Sequence, residues 1–247
     1  MQADAAHATE LAVRLLAGLE GLPGLRFNHA APAAHGAPPA PGVPAAGLPG
    51  LVSVSVEGVE GESLLDAMPE LAVSSGAACD SASGEPSYVL RSLGLPPELA
   101  QSTLRIMFGR HSRGADADLA AVAIRRAVTA LRAADAPGAP PGEGWVAGEA
   151  ETVRQGTRVR CFLRPDAAGR VVAVDWRIFG CPQTRAVAAG LTAAVVGKGA
   201  TSLLAQGPGA VPGSGLGGPT EKLGRLLRVE DALRQALGRI GAATESP

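Results

Sequence analysis

Residues Pro137–Gly144 read PGAPPGEG. No helix or strand runs through such a stretch, because proline lacks the backbone N–H and glycine loses the most entropy on ordering. It forms a semi-rigid linker and divides the 247 residues into two lengths, each close to the roughly 100–200 residues of an ordinary domain. The expectation is an α+β protein of two small domains, residues 1–135 and 149–247, joined by a Pro/Gly linker over 136–148. Charge divides at the same place. Residues 1–135 carry 9 Arg against 14 Asp/Glu, and residues 136–247 carry 13 Lys/Arg against 9 Asp/Glu, while the whole chain nets −1. With no global basic field and no arginine stripe, nucleic acid and an anionic membrane surface are not expected partners. Trp145 and Trp176 are too few for a base-stacking platform.

The first half reads as alternating short elements. Leu11, Leu15, Leu16 and Leu19 have helical spacing within Ala3–Leu19, and Pro23-Gly24 ends that helix. Residues 30–50, rich in Pro, Ala and Gly, form a surface connection. Val52-Ser53-Val54-Ser55-Val56 alternates strictly, the pattern of a half-buried strand. A short helix over Gly61–Met68, a strand Leu71-Ala72-Val73, a helix Ser87–Leu93, a strand Thr103–Phe108 and an Ala/Leu helix Ala115–Ala134 follow. On that last helix Arg125 and Arg126 are expected on a solvated face. Beyond the linker, strands Arg158–Leu163 and Val171–Phe179 flank a turn at Pro165–Gly169. Helices Pro182–Val196 and Thr220–Ile240 complete the half, the second with Thr220 as N-cap. With 33 Gly and 20 Pro, and Ala supplying much of the 46% apolar fraction, the cores are expected to be built from small side chains.

Cys79, Cys161 and Cys181 are odd in number, and the polar opening MQADAAHATE has no secretory pattern. The longest apolar runs, such as Ala186–Gly197, reach about 12 residues, too short to span a bilayer. A reducing cytoplasm is therefore the expected location. There a lone thiol is either a small buried hydrophobe or a reactive group. Cys161 lies within a strand and is read as structural. Cys79 is different, because Ser74–Gly84 (SSGAACDSASG) is a run of small polar residues unable to pack a core. A loop of that kind presents an accessible thiol, suited to accepting and passing on sulfur; an incidental exposed cysteine is the alternative. His7, His29, His35 and His111 are scattered without i,i+4 pairing, so no metal site is expected. Gly213, Gly215 and Gly218 match a G-x-G-x-x-G spacing, but no strand precedes them, which argues against a phosphate loop.

Leu71–Gly94 (LAVSSGAACDSASGEPSYVLRSLG) closely resembles the active-site loop and following helix of the group I cysteine desulfurases. The likeness continues through Glu98-Leu99-Ala100 and Leu104–Arg110, with Val59–Leu65 upstream, so that about residues 1–135 resemble the family's C-terminal, aminotransferase class V small domain. By this resemblance Cys79 matches the persulfide-forming cysteine and Arg105 the arginine that holds the substrate's carboxylate; a planar guanidinium fork suits that contact. The family uses pyridoxal phosphate bound to a lysine. Residues 1–135 contain no lysine, and Lys198 and Lys222 lie in the second half. No pyridoxal phosphate is therefore expected on this chain alone, nor a complete desulfurase activity. The implied partners are a desulfurase large domain or an intact desulfurase subunit, and the family's dimers leave dimerisation open.

Arg158–Gly197, with Phe179-Gly180-Cys181 opening a helix, resembles the U-type iron–sulfur scaffold, and Val229–Leu237 its closing helix. By that resemblance the first cysteine position falls on Gln155, the aspartate position on Thr157 and the His-Cys pair on Gly224-Arg225. One remaining cysteine cannot supply four ligands, so an iron–sulfur cluster is not expected. Cys181 at a helix start instead suggests a sulfur acceptor of the kind found in the same superfamily, or else a packed strand-end cysteine retained from an ancestor. The resulting expectation is persulfide transfer in iron–sulfur cluster biogenesis, with Cys79 as carrier, Cys181 as acceptor, and a scaffold or other thiol beyond. A non-catalytic module that binds and regulates a desulfurase or scaffold, or an inactive desulfurase fragment, is the alternative.

Overall fold

The computed structural model describes residues 2–28, 48–75, 87–135, 140–152, 157–206 and 223–244. The chain forms two compact units, Met1–Ala133 and Ala134–Pro247, each mixing helices with one antiparallel sheet. Among the described residues no helix is long and apolar enough to cross a membrane.

In the first unit, helix α1 (Gln2–Leu19) and helix α5 (Gly114–Asp135) cover one face of a four-stranded sheet. The strand order is β1 (Leu25–Phe27), β2 (Leu51–Val56), β4 (Thr103–Met107), β3 (Ser74–Ser75), all antiparallel. The alternation in β2 sends Val52, Val54 and Val56 into the core, where they meet Leu104, Ile106 and Phe27 beneath Leu15, Leu19 and Ile124. Small residues set the helix spacing: a Cβ at Gly18 would lie 2.6 Å from the Ala121 Cβ, so α1 and α5 cross closely there. Arg126 is exposed, as expected of a solvated face, and Arg125 is half-buried; both also latch neighbouring elements. The Arg125 guanidinium donates to the carbonyls of Gly18 (2.7 Å) and Glu20 at the end of α1. Arg126 donates to Ala67 O and pairs with Glu70. Carbonyls left over at a helix end need donors, and a neighbouring guanidinium supplies them.

The expected strand Leu71–Val73 does not form. The Leu71 N–H is taken by Met68 O in a turn, and Leu71 and Val73 pack sideways on the core; pairing with β4 begins one residue later, at Ser74. Helix α2 (Gly61–Asp66) is capped by Glu60, whose carboxylate accepts from Ser63 N at 2.8 Å. Helix α3 (Tyr88–Ser92) and helix α4 (Pro97–Gln101) precede β4, and α4 starts with Pro97 in its first turn.

The second unit has a three-stranded meander, β5 (Val146–Thr152), β6 (Thr157–Pro165) and β7 (Val171–Phe179). The turn before β7 closes as expected around Gly169, at φ 72°, with the Asp166 carboxylate accepting from Ala168 N and Arg170 N at 2.9 Å each. Those N–H donors, Arg170 first, hold the Asp166 carboxyl below its usual range. Helix α6 (Pro182–Val195), helix α7 (Ala200–Leu204) and helix α8 (Leu223–Thr244) pack on the sheet face bearing Val159, Cys161 and Leu163. The expected Thr220 cap and the glycines at 213, 215 and 218 lie outside the described residues.

Candidate functional site

Residues 76–86 lie outside the described part of the chain, and Cys79 with them. The roots of that segment are described. Before it, Ser74 pairs with Arg105 across β3 and β4; after it, Ser87 precedes α3.

Arg105 sits in the middle of β4. Its neighbours Leu104 and Ile106 point into the core, so strand periodicity turns Arg105 to the other face of the sheet, where it is exposed. Its register partners are Ser53 on β2 and Ser74 on β3. The three residues form one row across three strands, a guanidinium between two hydroxyl-bearing side chains. The Arg105 Nε donates to Ser74 Oγ at 3.2 Å. No carboxylate among the described residues pairs with it. One step along the sheet the same face is closed over: Ser55 Oγ lies 2.7 Å from Thr103 Oγ1, Thr103 donates to Leu99 O, and Asn28 Nδ2 donates to Ser53 and Ser55. In the other direction Met107 is exposed opposite Leu51. Among the described residues the site is thus an exposed guanidinium in a row with two hydroxyls, a chemistry suited to charge-assisted hydrogen bonds with an anion. The serine row was present in the sequence as the polar phase of the LVSVSV alternation; its pairing with Arg105 depends on register, which sequence alone did not provide.

The two cysteines of the second unit are both fully buried. Cys161 lies in β6 opposite Trp176. Burial, and then the charge of Asp175, push its thiol far above the ordinary range. Cys181 is the residue before α6, in extended conformation, with Pro182 starting the helix. Its Sγ is 3.3 Å from Thr184 Oγ1. The strand-to-helix junction is where the sequence pattern places it, but the sulfur is covered. Cys181 belongs to a different unit from Arg105.

Of the positions that the scaffold resemblance assigns to ligands, Gln155 is outside the described residues. Thr157 is buried, with no hydrogen-bond partner for its hydroxyl among the described residues, and Arg225 is buried. A hydroxyl, a cation and one thiol do not fit an iron–sulfur cluster, which takes four soft anionic ligands. No group of three or more His, Cys, Asp or Glu side chains arranged for a metal occurs among the described residues. Pyridoxal phosphate fits no better. The first unit offers no lysine, and Lys198 lies in the turn after α6, its N–H on Val195 O. Of the histidines, His7 Nε2 donates to Ser112 O at 2.9 Å and holds α1 to the turn before α5.

The strand register thus sets Arg105 in one row with Ser53 and Ser74, next in sequence to the segment that holds Cys79. A stretch of 132 residues, 53% of the chain, is 47% identical to cysteine desulfurase IscS of Vibrio campbellii. The protein of the same name from Vibrio cholerae is 46% identical over 133 residues, and that from Photobacterium profundum 44% over 132. In each case the match spans 30% of the relative's length, so the chain covers under a third of the curated relatives it matches. No family model matches the chain. The protein therefore contains a cysteine desulfurase-related region.

Proposed function

We propose that this protein carries sulfur in iron–sulfur cluster biogenesis, with Cys79 as the persulfide-bearing residue. The observation that carries the reading is the pairing of Ser74 with Arg105, within a unit as long as the stretch that is 47% identical to a desulfurase. It roots the Cys79 segment beside the guanidinium that the family resemblance assigns to the substrate carboxylate. The chain supplies no lysine there, so the sulfur is mobilised on another body, a desulfurase large domain or intact desulfurase that holds the pyridoxal phosphate. The transfer needs no external oxidant. With an intact desulfurase as donor, the Cys79 thiolate attacks the terminal sulfur of its persulfide, a new S–S bond forms, and the donor's S–S bond breaks with departure of its thiolate. The same exchange then passes the sulfur to an acceptor thiol.

Burial of Cys181 favours an acceptor on a partner, an iron–sulfur scaffold or another thiol protein. An internal relay to Cys181 requires the contact with Thr184 to open first. The test loads the purified chain with persulfide from an intact cysteine desulfurase and L-cysteine, then maps the sulfane sulfur by mass spectrometry after alkylation. Persulfide on the Cys79 peptide, absent in Cys79→Ser, is the expected result. An unmodified Cys79 overturns the proposal in favour of a regulatory binding module. Persulfide on Cys181 that is unchanged in Cys79→Ser overturns the internal relay.

A further inference from the structure

Among the described residues Arg105 is held through Ser74. Its Nε is taken by Ser74 Oγ at 3.2 Å, which leaves the two terminal nitrogens as an end-on fork. A guanidinium on an exposed strand otherwise samples many rotamers, and the entropy lost on binding an anion is correspondingly large. The Ser74 backbone is fixed to β4 opposite Arg105 itself, so the hydroxyl has only its own χ1 to order. A hydroxyl that accepts from Nε keeps its own O–H, which is free to donate to an oxygen lying against the fork. Ser53, on the other side of the row, accepts from Asn28 Nδ2 at 3.1 Å.

We propose that Ser74 is a positioning residue for carboxylate binding. It locks the Arg105 guanidinium so that Nη1 and Nη2 face the anion, and it adds a third donor. The proposal rests on the reading of Arg105 as a carboxylate holder and adds a residue that the family resemblance does not assign. By linkage, a carboxylate on the fork and the Arg105–Ser74 bond at the root of the Cys79 segment strengthen each other.

The test follows the Nε–Hε correlation of Arg105 by NMR in the full chain, assigned by its loss in Arg105→Lys. Sodium acetate is titrated against sodium chloride at constant ionic strength. The wild type is expected to shift saturably. Ser74→Ala weakens the acetate dissociation constant by about threefold to tenfold, the range for loss of one hydrogen bond, and speeds Hε exchange with solvent. Ser74→Thr, which keeps the hydroxyl, restores both. A wild-type resonance that does not saturate overturns the carboxylate site and this inference together. An unchanged constant in Ser74→Ala, or failure of Ser74→Thr to restore it, overturns the role of Ser74 alone. Neither result depends on whether Cys79 takes up sulfur, so the two proposals fail separately.

Discussion

At Cys161 and Cys181 the second unit encloses two thiols by different means. Cys161 is inside a strand, covered by α8 and α6 packing on the sheet, and its thiolate is disfavoured by burial and by Asp175. Cys181 closes the junction between β7 and α6, its sulfur against Thr184. Thiol alkylation proceeds through the thiolate and needs access, so both depend on local opening. In the native chain each is expected to react with iodoacetamide at least about two orders of magnitude more slowly than in denaturant, since opening a core site costs several kcal/mol. Peptide mapping after a timed pulse measures this. If Cys181 labels in the native chain as fast as a free thiol, the start of α6 opens readily, and Cys181 regains its standing as a sulfur acceptor.

At the scale of elements, β5 shows why part of the fold was legible and part was not. The strands β2, β6 and β7 and the helices α1, α5, α6 and α8 carry runs of alternating or helical apolar spacing, and these were read from the residues. The strand β5 reads VAGEAET, low in β propensity, and nothing local marks it. It exists because α8 lies against it. Gln235 Oε1 accepts from Glu149 N at 2.6 Å, and Arg239 donates to Ala147 O at 2.7 Å, so the helix satisfies backbone groups on the free edge of the sheet. β1, with three residues, and α4 and α7, with five each, are too short for a period to show. The candidate site divides the same way: Arg105 was found through a long motif, but its serine neighbours come from strand pairing between residues 31 and 52 positions away. Gly148 tests the dependence of β5 on α8. A Cβ there would lie 2.0 Å from Ala232 O and 2.6 Å from Ala236 N, so helix and strand must separate. Gly148→Ala is expected to destabilise the second unit by about 3 kcal/mol, at the upper end for overpacking. Urea unfolding followed by Trp145 and Trp176 fluorescence reads it, and a midpoint within error of the wild type would mean that α8 does not bear on β5 in solution.

For the whole molecule, the decisive fact is that each unit has its own core. Leu15, Leu19, Leu64 and Ile124 are fully buried in the first, and Leu163, Leu191, Leu233 and Leu237 in the second; the two clusters share no residue. Cooperativity follows shared burial, because an element unfolds with whatever covers its apolar face. Two cores of this kind unfold as two transitions. Leu15→Ala and Leu191→Ala each remove a fully buried leucine side chain, at a cost of about 2–5 kcal/mol. Each is expected to move one denaturation midpoint and leave the other in place, as read by hydrogen exchange of β2 amides against β6 amides across a urea series. This separation suits the proposed carrier, in which Cys79, Arg105 and Ser74 all belong to the first unit, because the proposed sulfur uptake then does not depend on the second. A single transition, shifted equally by both variants, would mean that the two cores unfold as one.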